Sequence, residues 1–112
     1  MSYGLDSPLL NSTSVAYEES RIVKASAGRL FGFSGFNSKA SAQFILIFDS
    51  ATLPADTAVP VSVISVATVA NFSVEYGDHG RAFTNGIVIC NSSTGPTKTI
   101  GAADTWFDCQ YT

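Results

Sequence analysis

Apolar and polar residues alternate in short runs along this chain, and no stretch keeps the three-to-four-residue recurrence of an amphipathic helix. The cleanest alternation falls at residues 71–76. Phe72, Val74 and Tyr76 share one side there and Ser73 and Glu75 the other, before Gly77, Asp78, His79 and Gly80 close the segment as a turn. Residues 42–48 form the most apolar run. Phe44, Leu46 and Phe48 point one way and Ile45 and Ile47 the other, so both faces demand burial, as in a central strand or one whose second face meets a partner. Residues 20–27 carry Arg21 and Lys24 on opposite sides of a short strand, which suits an edge. Residues 30–37 place Phe31, Phe33 and Phe36 around Gly32 and Gly35, a core strand whose glycines admit a bulge or a close backbone. From Pro60 to Thr68 nearly every residue is β-branched or small, which favours strand over helix.

Two further apolar runs, residues 82–90 and 105–111, flank a loop rich in Ser, Thr, Gly and Pro and are expected to sit side by side at the centre of a sheet. In the second run Trp106 and Asp108 share one face, and Phe107, Cys109 and Tyr111 the other. Seven or eight short strands with turn signals about every ten residues predict an all-β, single-domain antiparallel β-sandwich, jelly-roll-like, over residues 15–112. Residues 1–14 hold Leu5, Leu9 and Leu10 around Pro8 with no sustained period, and read as an extended N-terminal arm. That arm is either an idle tail or a segment whose leucines dock on a neighbouring subunit. No repeat of fixed length is present, which argues against a solenoid or propeller.

The 112 residues suit one domain. Only 13% are charged while 46% are hydrophobic, so little of the surface can be covered by charge, and burial against copies or a partner is favoured. A net charge of −3, with Arg21, Lys24, Arg29, Lys39, Arg81 and Lys98 scattered, excludes a phosphate-neutralising patch and with it nucleic-acid binding. No apolar run is long enough to cross a bilayer as a helix, and the first residues lack a secretory leader's basic and apolar regions; the expectation is a soluble chain made in a cytoplasm. Cys90 and Cys109 are placed near one another across the ladder and are expected to be buried thiols, as a reducing compartment dictates.

Candidate chemistry is sparse. The run Ser93-Thr94-Gly95-Pro96-Thr97-Lys98-Thr99 ends like a phosphate-binding loop, but Thr97 and Ser92 stand where the wrapping glycines are required. His79, beside Asp78 and near Glu75, is the only histidine, too few ligands for a metal centre and unsupported by any nucleophile elbow. Asp104 and Asp108 flank Trp106 as a conceivable carboxylate pair with a sugar-stacking ring, although an aromatic strand residue is the simpler account. Asn11, Asn71 and Asn91 fit the glycan acceptor pattern, which has no meaning without secretion. No residue is assigned a catalytic, cofactor-binding or metal-binding role, and the chain is not read as an enzyme.

Three stretches carry a resemblance: residues 21–32 (Arg21 to Gly32), the Phe44 to Asp49 run with Leu53, Pro54, Ala55 and Asp56, and Phe83 to Ser93 leading to Asp104, Thr105, Trp106 and Phe107. Together they resemble a group of small structural proteins of tailed bacteriophages, over most of the chain from Arg21 onward. The resemblance implies a virion component, an all-β subunit that decorates the head and binds the major capsid protein, with self-association as a homotrimer on a local threefold and no cofactor. It brings no catalytic residues. Leu5, Leu9, Leu10, Trp106 and Tyr111 are the expected partner-binding residues. The alternative is a tail or fibre module that binds a bacterial surface glycan through exposed aromatics such as Trp106 and Tyr111; a polysaccharide-degrading domain is the weakest reading.

Overall fold

The computed structural model describes residues 9–112. The strands are β1 (Leu10–Thr13), β2 (Ser20–Lys24), β3 (Gly28–Asn37), β4 (Gln43–Asp49), β5 (Ser62–Val66), β6 (Ala70–Glu75), β7 (Arg81–Phe83), β8 (Ile87–Ser92) and β9 (Thr105–Tyr111). All pairings are antiparallel. With the short β7 set aside they nest: β1 with β9, β2 with β8, β3 with β6 and β4 with β5. This is one long hairpin of four strand pairs. Rolling it up brings β9 beside β3 and β8 beside β4, which completes the sheets β1-β9-β3-β6 and β2-β8-β4-β5, with β7 extending the first by pairing with β3. That strand order is a jelly roll.

Two expectations change. Residues 82–90 are two strands, β7 and β8, broken at 84–86, and β8 and β9 lie in different sheets. The loop between β8 and β9 is too long for a tight hairpin turn, and it crosses from one sheet to the other. Cys109 therefore packs between the sheets while Cys90 belongs to a separate cluster, and both are free, buried thiols. Of the proposed arm, residues 1–8, including Leu5, lie outside the described residues, and Leu10–Thr13 form β1 in register with Tyr111–Asp108.

The main core fills the space between the sheets. Phe33, Phe72 and Phe107 meet Ile45, Ile47, Ile87 and Ile89 there, with Val23, Leu30 and Phe83 around them. The Phe72 ring stands tilted against Phe33 and Phe107, at centroid distances of 6.1 and 6.4 Å, a favoured aromatic geometry. Gly35 makes that ring's seat. A Cβ at this position would lie 2.4 Å from Phe72 Cζ and 2.2 Å from the Trp106 carbonyl oxygen, so glycine is required by close approach.

One end of the sandwich is polar inside. Asn37, Gln43, Asn91 and Thr105 are buried, and their side chains donate to one another and to the loops, while Gln43 Oε1 and Asn91 Oδ1 take no hydrogen-bond partner among the described residues. Gln43 Nε2 donates to Asn37 Oδ1 at 2.9 Å and to Asp104 Oδ1 at 2.8 Å. Asn91 Nδ2 donates to Thr105 Oγ1 at 2.8 Å, and Asn37 Nδ2 to the Ala67 carbonyl at 3.0 Å. Such a network fixes strand register, because a slip of one residue would strand several buried polar groups.

Candidate docking surface

The outer face of the β2-β8-β4-β5 sheet is apolar, and the chain itself covers part of it. Leu46, Phe48, Val88 and Cys90 form a second cluster there, with Phe44 and Ala58 packed on it. Residues 50–61 and 93–101 fold over this face. Thr57 N–H donates to the Lys98 carbonyl at 2.7 Å and Lys98 N–H to the Ala58 carbonyl at 2.9 Å, while Lys98, itself buried, reaches the Pro54 carbonyl with its ammonium at 2.6 Å. The second apolar face of residues 42–48 thus meets an intramolecular lid. The Ser/Thr-rich segment that mimics a phosphate loop is half of it.

The two long sides of the sandwich differ. On the β1–β2 side, Arg21 ties the sheets together: Nε donates to Ser12 Oγ at 2.7 Å, and Nη1 lies 2.9 Å from Glu18 Oε2, which also accepts from Ser14 Oγ. Charge and cross-sheet bonds guard these edges, the usual protection against stray pairing.

On the opposite side run β5 and β6, the other two edge strands. No charged residue occurs in the sequence between Asp56 and Glu75. Val63 lies across from Leu46, points outward and is 45% exposed; Val59 is 74% and Val69 57% exposed. Among the described residues the only positive-φ residues other than glycine are Thr57 (φ 75°) and Val69 (φ 43°), both within this uncharged segment. A β-branched side chain is disfavoured in that region of backbone space, and strain of this kind is concentrated at functional segments. The margin from Val59 to Val74 is the candidate docking surface. Its signal in the sequence is the gap in charge between Asp56 and Glu75, which neither the leucine-bearing arm nor the exposed aromatic residues share.

The residues expected to bind a partner do not form one surface. Leu10 lies across from Tyr111 at the end of β1, and Tyr111 packs against the core. Trp106, 37% exposed, points away from the core beside Phe36, its partner on β3. Leu9 is exposed at the far end of that outer face, near Gly32 and Gln110. Asp104 and Asp108 separate: Asp104 joins the buried amide network, and Asp108 accepts from Thr13 Oγ1 at 2.9 Å on the outside. His79 is exposed in its turn. Among the described residues no three His, Cys, Asp or Glu side chains converge as a metal site, and no helix is long and apolar enough to cross a membrane.

No protein-family model matches the chain, and no curated protein sequence does. Among solved structures the chain is similar to the coat protein of Tobacco streak virus, with 9% identity, a TM-score of 0.45, and coverage of 90% of this chain and 83% of that one. The jelly-roll assignment follows from the strand order alone.

Proposed function

We propose that this chain is a bacteriophage virion structural protein, a decoration or cement subunit that seats its β5–β6 margin on the major capsid protein at the outside of the head. The observation that carries this reading is the uncharged, unpaired double edge. Two adjacent edge strands with exposed valines and no charged residue from 57 to 74 suit a surface that is covered in the working assembly. Charges stand beside it at Glu75, the end of β6, and at Arg81, whose Nη2 donates to the Val61 carbonyl at 3.2 Å. Low overall charge and the phage resemblance of the remaining stretches support the same reading. Three copies around a local threefold would bury the margins of neighbours in a closed arrangement. Leu9, exposed just before β1, lies on the far side of the sandwich from this margin.

Val63→Lys tests the docking surface. The side chain points to solvent, so the subunit is expected to fold with a stability change within about 0.5 kcal/mol. Its occupancy on capsids lacking the native subunit is expected to fall by about tenfold or more, as burial of an unpaired charge requires. Undiminished occupancy would show that the β5–β6 margin does not contact the capsid.

A further inference from the structure

The outer face of the β1-β9-β3-β6 sheet is shaped unlike the docking margin. Its middle row comes from β3 and descends in size from Phe36 through Ser34 to Gly32. In register on one flank stand Trp106, Asp108 and Gln110 of β9, and on the other Asn71, Ser73 and Glu75 of β6. The small middle row makes a trough. It is widest at Gly32, where a cavity of about 200 Å³ opens between Gln110, Glu75, Asp78 and Leu9. Four residue steps separate Trp106 from Gln110, a run of about 13 Å, or about two to three pyranose rings laid end to end.

The polar groups along this trough are free to serve a ligand. Among the described residues the hydroxyls of Ser34 and Ser73, the carboxamide of Asn71 and the indole N–H of Trp106 take no hydrogen-bond partner. Both protein hydrogen bonds to Asp108 fall on Oδ1, which leaves Oδ2 open. At one end the Trp106 and Phe36 rings supply an apolar platform beside these donors and acceptors. No lysine or arginine lines the Gly32 cavity, and Glu75 and Asp78 both do, so an anionic ligand is disfavoured.

We propose that this trough is a saccharide-binding site for uncharged glycans, with Trp106 as the stacking platform and Ser34, Asp108 and Glu75 among the hydroxyl partners. A sugar chain presents the matching chemistry: an apolar ring face for the indole and a row of hydroxyls for neutral and anionic acceptors. A protein partner would instead call for a continuous apolar centre, which the serines and glycine deny. The site lies on the sheet face and shares with the β5–β6 margin only its flank at Asn71 and Ser73; Trp106, Ser34 and Asp108 lie outside that margin, and failure of the site leaves the docking proposal standing.

Trp106 is the only tryptophan, so its fluorescence reports directly on the site. The full chain is titrated with neutral tetrasaccharides of glucose, galactose, mannose and N-acetylglucosamine, and with an anionic tetrasaccharide of galacturonate. A saturable emission change with at least one neutral probe and none with the anionic one is expected. Calorimetry then compares variants: Trp106→Ala is expected to weaken binding by about tenfold or more, Trp106→Phe by less, and Ser34→Arg to abolish it by filling the trough while the fold stays intact. No saturable change with any neutral probe, tighter binding of the anionic one, or undiminished binding in both Trp106→Ala and Ser34→Arg would overturn the proposal.

Discussion

The ammonium of Lys98 donates to the carbonyl of Pro54 at 2.6 Å, across a gap of 44 residues in sequence. This bond clasps two loops over Leu46, Phe48, Val88 and Cys90. Asp56 stands 3.9 Å from the same nitrogen, at the limit of an ion pair and half exposed, so the carbonyl contact is the stronger tie.

Lys98→Met keeps the aliphatic stem and removes the donor. The Pro54 carbonyl then loses its partner, and a destabilisation of about 1–3 kcal/mol is expected in urea denaturation. Proteolysis should fall first within residues 50–61. A variant as stable as the parent would mean that packing alone holds the lid.

Asp49 caps the turn that separates β7 from β8. Its carboxylate accepts from the backbone N–H of Asn85 at 2.8 Å, Thr84 at 3.1 Å and Gly86 at 3.4 Å. The bonds from Asn85 and Thr84 lower its pKa below the ordinary 3.8, against a smaller effect of burial. A carboxylate with a depressed folded pKa contributes stability above its unfolded value, and that contribution disappears as pH falls through the folded value. Asp49→Asn is therefore expected to be less stable than the parent at neutral pH, with the gap closing below about pH 4. Parallel stability curves for the two proteins across that range would contradict the role.

Burial raises both thiols, Cys90 from 9.0 to about 11 and Cys109 from 9.0 to about 12, with Lys98 opposing the rise at Cys90 and Asp108 adding to it at Cys109. The native state therefore holds its thiol protons at pH values where the unfolded chain releases them. The stability linked to them is intact below about pH 9 and is lost as pH rises toward 11 and 12. Neither thiol is expected to react with iodoacetamide at pH 8 in the native protein, and both are expected to react once it is unfolded. Rapid native labelling of either one would place it at the surface.

The strands were legible where local pattern decides them. Phe72 and Val74 on β6 and Tyr76 just beyond it pack inward as their alternation required, and Phe107, Cys109 and Tyr111 face the core while Trp106 points out. What escaped the sequence is what depends on distant partners. The nesting of β1 with β9 joins residues about a hundred positions apart, and nothing in Leu10–Thr13 announces it. The run at 82–90 reads as one strand because the break at 84–86 is created by Asp49, far away in the chain. The apolar outer face of β4 was visible, but the lid on it depends on Lys98 finding Pro54. Of the candidate sites, the exposed ring of Trp106 was foreseen; the Gly32 end of its trough and the uncharged β5–β6 margin were not.

A subunit that coats the head, as proposed, is present in numbers close to those of the capsid protein beneath it. Quantitative mass spectrometry of purified virions should count this chain against the major capsid protein. A stoichiometry comparable to that of the capsid subunit is expected. A count smaller by an order of magnitude or more, matching the symmetry of a tail or fibre, would contradict it.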